Sequence, residues 1–213
     1  MPHERVTVSL PEPVTKGTNL SLVVGYRGAI DQSMMGYYQS TWHHEGRTGN
    51  YALTQFEPTS ARRAFPCWDE PELKATYSFR MLHRESTTAL ANMPSVQTKA
   101  VEKDDVAKLL RVDELKLEAP DLGNDAWVLT EFAKTPKVSS YLVAWANGVF
   151  EHIDGSFTSP LTGKKVPMRV YTTPEYIHQA QYALEVKQKV LPEYEKVFDI
   201  AYPVSYTHLT LPT

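Results

Sequence analysis

Apolar and polar residues alternate along the first 170 positions of this 213-residue chain, and after position 173 the repeat changes. A period of two places every second side chain on one face of a strand, so such a run can be buried only as part of a sheet. Segments 5–10, 20–26, 37–44, 50–56, 75–83, 87–92, 127–132, 139–150 and 163–172 all read as strands. Pro11 and Pro13 stop the first of them. Residues 45–49 supply a turn between the third and fourth. A short helical turn is expected at 59–64, with Thr59 as its N-cap. Residues 100–125 are charged and fit either an extended hairpin arm or a loop. From Thr173-Pro174-Glu175 onward, Tyr176, Ile177, Ala180, Ala183, Leu184, Val190 and Leu191 recur at three and four residues. That spacing predicts a helix to about Phe198, capped by Thr173, opened by Pro174 and kinked at Pro192. The change of period marks a domain boundary near Tyr171.

Composition narrows the function. With 42% hydrophobic and 22% charged residues, the chain has an ordinary globular balance and no signature of disorder. A net charge of -3 without a basic cluster gives no electrostatic reason to expect nucleic acid. No apolar run approaches the roughly 20 residues that span a bilayer. Cys67 is the single cysteine, so it can form neither an internal disulfide nor a cysteine metal cluster. It leans toward a reducing compartment, and a cytoplasmic protein is the expectation. Asn19-Leu20-Ser21 is a glycosylation sequon, a triplet that arises often by chance.

The segment Thr54-Gln55-Phe56-Glu57-Pro58-Thr59-Ser60-Ala61-Arg62-Arg63-Ala64-Phe65-Pro66-Cys67-Trp68-Asp69-Glu70-Pro71 closely resembles the hallmark of the zinc aminopeptidases of the aminopeptidase N and puromycin-sensitive type. The resemblance continues at Lys74-Ala75-Thr76-Tyr77, Ala91-Asn92-Met93-Pro94, Thr135 to Leu142, Val166 to Tyr171 and Thr173 to Glu195. It covers about 30 to 203 in register, with the motifs in order. It implies a mainly β fold: a saddle-like β-sandwich N-terminal domain over 1–171, followed over 172–203 by the first helix of a thermolysin-like catalytic domain. It also implies a parent that removes N-terminal residues from peptides, with zinc as its cofactor. Further strands would precede Met1, and the catalytic domain would act in cis.

The same resemblance gives roles to two residues. Glu57 would anchor the α-ammonium of a peptide substrate, where a charge-assisted bond in a partly dry cleft exceeds its worth in water. Gln55, two residues earlier on a strand and so on the same face, would lie beside the pocket for the first substrate side chain. Read without the family, Glu57 is a loop carboxylate paired to Arg62 or Arg63. Arg62, Arg63, Asp69 and Glu70 are expected to fix the loop that holds Glu57, and Cys67 to be a small hydrophobe. His43-His44-Glu45 does not read as a metal site, because adjacent strand residues point to opposite faces.

Catalysis in this family uses His-Glu-x-x-His on a helix, and no such motif occurs in these 213 residues. The chain is therefore expected to bind no zinc itself, to hold no catalytic residue and to be inactive alone. Residues 204–213 read as one frame of a common transposase sequencing adapter and are expected to be foreign to the protein. A second reading stays open: a non-catalytic β-sandwich binding or scaffold module related to the family.

Overall fold

The computed structural model describes residues 4–202 and the backbone of 208–210. β1 (Gly36–His44) and β2 (Arg47–Gln55) form a hairpin closed by Glu45 and Gly46, both at positive φ. That is the two-residue turn whose twist suits antiparallel strands. β3 (Arg80–Arg84), β4 (Thr88–Ala91) and β5 (Ser95–Val101) follow. Two short helices, α1 (Lys103–Leu109) and α2 (Val112–Leu115), precede β6 (Trp127–Phe132). β7 (Trp145–Gly148), β8 (Glu151–Thr158) and β9 (Lys165–Thr172) lead to α3 (Ala180–Phe198), and the backbone of β10 (His208–Thr210) comes last.

The strands make three sheets, ordered β1-β2-β7-β4, β3-β6-β5 and β10-β9-β8. All pairs are antiparallel except β9 with β10. The fold is mainly β with a trailing helix, in the class expected from the period-two pattern. α3 lies on one face of β8–β9, where Ala180 and Leu184 meet Phe157, Val166, Met168 and Val170. Burying a Leu side chain in such a core contributes about 1.5–3 kcal/mol. Gly155 permits the approach: a Cβ there would come 2.7 Å from Leu184 Cδ1. Tyr182, Val186 and Val197 on the other face of α3 are exposed, and so are Tyr194 and Phe198 in its last turns.

The structure corrects several sequence expectations. Residues 5–10 and 20–26 form no ladder among the described residues, and Val6, Leu20 and Leu22 are exposed. Alternation assigns faces to a segment, but a strand also needs an edge to pair its N–H and C=O groups. Strand 75–83 begins only at Arg80, with Ala75 bridging Val138 in isolation. Strand 139–150 is interrupted by a 3₁₀ turn at Ser140–Leu142, because the Ser139 and Ser140 hydroxyls donate to Pro71 O and to Asp69. Residues 100–125 are neither arm nor loop throughout, since they include α1 and α2. β5 and β8 were not expected as strands.

The helix expected at 174–198 opens with a 3₁₀ stretch, Pro174–Gln179, and then continues through Pro192. Among the described residues the hydroxyl of Thr173 makes no capping bond, and the short turn is Ala61–Arg63, with Ser60 rather than Thr59 at its N-cap position. Tyr176 N donates instead to Thr173 O at 3.1 Å. Glu175 accepts from His43 N at 2.7 Å, tying the entrance of α3 to β1. The adapter reading of 204–213 falls mostly outside the described residues. A three-residue backbone ladder at 208–210 is open to any sequence and does not bear on its origin.

Candidate functional site

Gln55 closes β2, opposite Gly36 in the register of the hairpin. Phe56 then turns inward at 2% exposure, and Gln55 and Glu57 on either side are exposed. The two expected site residues are therefore both exposed, on either side of a core anchor, with Gln55 at the end of β2 and Glu57 in the turn that follows. Phe56 lies against Trp145 at 5.2 Å and 73°, and against Phe65 at 5.8 Å and 52°. Gln55 Nε2 donates to Glu57 O at 3.4 Å, and the Glu57–Pro58 peptide is cis.

The Glu57 carboxylate has no ion pair or hydrogen bond among the described residues. The pairing to Arg62 or Arg63 that residue type alone favours is not formed. Arg62 is engaged elsewhere: Nε donates to Asp69 Oδ2 at 3.0 Å, Nη2 to Asp69 O at 2.9 Å, and Nη1 to Glu4 at 3.3 Å. Arg62 N adds a bond to Asp69 Oδ2 at 3.1 Å. Asp69 Oδ1 accepts from Ser140 Oγ at 2.5 Å. Burial pushes the Asp69 carboxyl up, but the bonds from Ser140 and Arg62 outweigh it and hold the group below its usual range. The expected Arg–carboxylate brace of the loop is therefore Arg62 with Asp69. Arg63 and Glu70 form no ion pair among the described residues.

Around this loop the separate sequence motifs meet. Asn92 Nδ2 donates to Leu142 O at 2.8 Å, and Asn92 Oδ1 accepts from Ala144 N at 2.7 Å. Tyr77 N donates to Thr135 Oγ1 at 2.8 Å, and Ser139 Oγ to Pro71 O at 2.6 Å. Thr54 Oγ1 accepts from Trp145 N at 3.1 Å. Segments 54–71, 75–77, 91–94 and 135–145 are thereby one knot of hydrogen bonds beneath residues 55–57. Locked side chains of this kind keep an exposed functional group in one place.

Two residues at the site were missed from sequence. Gly36 has φ +73°, and a Cβ there would come 2.8 Å from Arg63 Cβ. Only glycine lets the 3₁₀ turn close onto β1 beside Gln55. Trp68, at 74% exposure, stands out from the braced loop. Phe65, not Trp68, packs against the core beneath that loop. Cys67 behaves as expected of a half-buried hydrophobe, with burial and the nearby Asp69 charge pushing its thiol up to about 11.

No three His, Cys, Asp or Glu side chains gather into a metal-binding group among the described residues. His43 bonds Thr48 Oγ1 at 2.9 Å, while His44 lies 3.9 Å from Glu45. No helix among the described residues is long and apolar enough to cross a membrane.

The fold is a mainly antiparallel β module with an exposed carboxylate just past the end of a braced strand. Residues 1–109 match the model of the peptidase M1 N-terminal domain. The chain is 35% identical over 203 residues to endoplasmic reticulum aminopeptidase 1 of Homo sapiens, covering 95% of this chain and 19% of that protein. It is 31% identical over 191 residues to glutamyl aminopeptidase of Bos taurus, covering 90% and 17%. It is 35% identical over 192 residues to aminopeptidase M1-A of Oryza sativa subsp. japonica, covering 90% and 18%. The chain belongs to the peptidase M1 family and carries an aminopeptidase N-terminal domain. It spans about a fifth of the length of these relatives.

Proposed function

We propose that this chain is the part of a zinc metalloaminopeptidase that receives the free end of a peptide, with Glu57 binding the α-ammonium and Gln55 bordering the first side chain. The observation that carries the reading is the unpaired, exposed carboxylate of Glu57 beside two arginines that a paired loop carboxylate would have used. A carboxylate held ready and unneutralised suits a cationic ligand group. The zinc site and the residues that act on the peptide bond are assigned to the rest of the parent protein, which also completes the cleft in cis. The present residues then bind and orient a substrate without reacting with it, and the 213-residue chain alone is inactive. We keep 1–171 as the N-terminal unit and 172–203 as the start of the catalytic one.

The test is Glu57→Gln in the intact parent enzyme. Loss of one charge-assisted bond, about 1.5–3 kcal/mol, lowers kcat/KM for peptides with a free amino end by roughly 10- to 100-fold. The melting temperature should not change. Unaltered kcat/KM overturns the assignment of Glu57. Zinc-dependent hydrolysis of an aminoacyl arylamide by the 213-residue chain overturns the placement of the metal site elsewhere.

A further inference from the structure

The cleft between the β3–β6–β5 sheet and the outer face of β8–β9 encloses about 540 Å³. One wall carries a hydrogen-bonded chain that crosses all three strands. His83 Nε2 on β3 lies 2.9 Å from Thr130 Oγ1 on β6, which lies 3.0 Å from Thr98 Oγ1 on β5. The direction of the chain follows from its end. Nδ1 is 3.0 Å from Arg84 O, an atom that can only accept, so Nδ1 carries the proton. Nε2 then accepts from Thr130, and Thr130 accepts from Thr98. Thr87 Oγ1, 3.1 Å from Nδ1, donates to Arg84 O at 2.8 Å and accepts from Asn147 Nδ2 at 2.9 Å.

The imidazole is 6% exposed and held neutral. The polar groups of this chain already have partners, and on the facing wall Asp154 holds Arg169 at 2.6 Å. The cleft thus presents satisfied walls to a ligand and one proton-binding ring. Glu85 after β3, Asp154 on β8, and Arg169 and Tyr171 on β9 are the titratable groups that line it. β4, β5 and β6 contribute Thr88, Thr98, Val128 and Thr130, and β7 contributes Asn147 through Thr87. Neither Glu85 nor Asp154 bonds the ring among the described residues, so an imidazolium there would have no hydrogen-bonded carboxylate.

We propose that the His83–Thr130–Thr98 chain is an acid-weakened latch: proton uptake by His83 turns its accepting nitrogen into a donor, forces the hydroxyls of Thr130 and Thr98 to reverse, and puts a buried cation into the side-chain tie that reinforces the β3–β6–β5 ladder. Burial holds the imidazole below its ordinary value, with the Arg84 carbonyl bond offsetting only part of this. The sign follows from linkage. The unfolded chain binds the proton more tightly than the fold does, so His83 contributes its full stability above about pH 6.5. That stability falls about tenfold in the folding equilibrium constant per pH unit below this point, until the folded-state value is reached. β3 is packed toward the site: Met81 on β3 packs with Phe132, Phe79 stacks on Trp145 at 5.0 Å, and Trp145 meets Phe56 at 5.2 Å.

The experiment combines an NMR titration of the His83 ring with urea unfolding of the 213-residue chain between pH 5 and 7.5. Its comparison is His83→Gln, whose amide can hydrogen-bond on both sides without titrating. The wild type should lose folding equilibrium constant as the pH falls below 6.5, and the variant should lack that part of the dependence. His83 should titrate below pH 6.5. An equal pH slope in both proteins overturns the latch, and so does a ring that titrates at or above its ordinary value while the fold persists. Should His83→Gln fail to fold, the wild-type ring titration decides alone.

Discussion

Replacing Phe56 by Ala removes a side chain that is 2% exposed and wedged between the rings of Trp145 and Phe65. Deleting a buried Phe costs about 3–5 kcal/mol. The edge contact with Trp145 and the tilted contact with Phe65 each add about 0.5–1.5 kcal/mol beyond buried area, which places this site near 4 kcal/mol. With a urea slope of about 2 kcal/mol/M for a chain this long, the midpoint falls by roughly 2 M. Phe56→Leu keeps most of the volume and should cost about 1–1.5 kcal/mol. Glu57→Gln, one residue away, should stay within about 0.5 kcal/mol of wild type, because its carboxylate has no partner to lose among the described residues. Urea unfolding followed by tryptophan fluorescence measures all three, since Trp145 touches the altered position. Adjacent residues then divide the work, one holding the fold and one left for a ligand. A cost below about 1 kcal/mol for Phe56→Ala, or above about 1 kcal/mol for Glu57→Gln, refutes that division.

Other perturbations test the surrounding structure. Asp69→Asn should destabilise the chain by about 2 kcal/mol at pH 7, as the buried acceptor of Ser140 and Arg62 loses its charge. Because the folded-state pKa of Asp69 is lowered, its contribution is present above the ordinary carboxylate value and is lost as pH falls through the folded one. The gap between variant and wild type should therefore close in acid, and a gap of equal size at pH 7 and pH 2.5 would count against the brace. Lys187 is 9% exposed, its Nζ has no hydrogen-bond partner among the described residues, and burial pushes its pKa down. Lys187→Met keeps the stem and removes the stranded ammonium, so the melting temperature should rise by the equivalent of about 1 kcal/mol. A fall would mean that the ammonium has a partner.

Much of the sheet structure could be read from alternation, and the misses have separable causes. β9 carries regular alternation and buries Val166, Met168 and Val170 on one face, and β1 buries Tyr38 and Trp42 on one face. β8 was missed because Gly155 interrupts its inward row, and glycine is there only because Leu184 of a helix 29 residues later needs the space. Alternation cannot anticipate a packing partner that distant. The segments 5–10 and 20–26 were overread for the opposite reason, since they have the pattern but no edge to pair with among the described residues. In α1, Val106 alone is buried, so its helical period is too short to rise above the charges around it.

For the candidate site, exposure was legible and pairing was not. That Gln55 and Glu57 flank an inward Phe56 and are themselves exposed is signalled by a Phe between two polar residues. What sequence could not decide was whether the Glu57 carboxylate is neutralised, because Arg62 and Arg63 are five and six residues away and either could reach back. The answer depends on Asp69, which captures Arg62 through three bonds, and on Ser140, which holds Asp69 from 71 residues away. Gly36 completes the arrangement by drawing the turn that carries Arg63 against β1. Glu57 is thus left free by a competition that another carboxylate wins, and that competition is settled by tertiary contacts rather than by its own neighbours. Asp69→Ala should therefore do more than destabilise. It releases Arg62 to pair with Glu57, so in the intact parent enzyme it should raise KM for peptides with a free amino end. Asp69→Ala together with Arg62→Ala should recover part of that loss, and a double variant no better than the single one would show that Glu57 owes nothing to the brace.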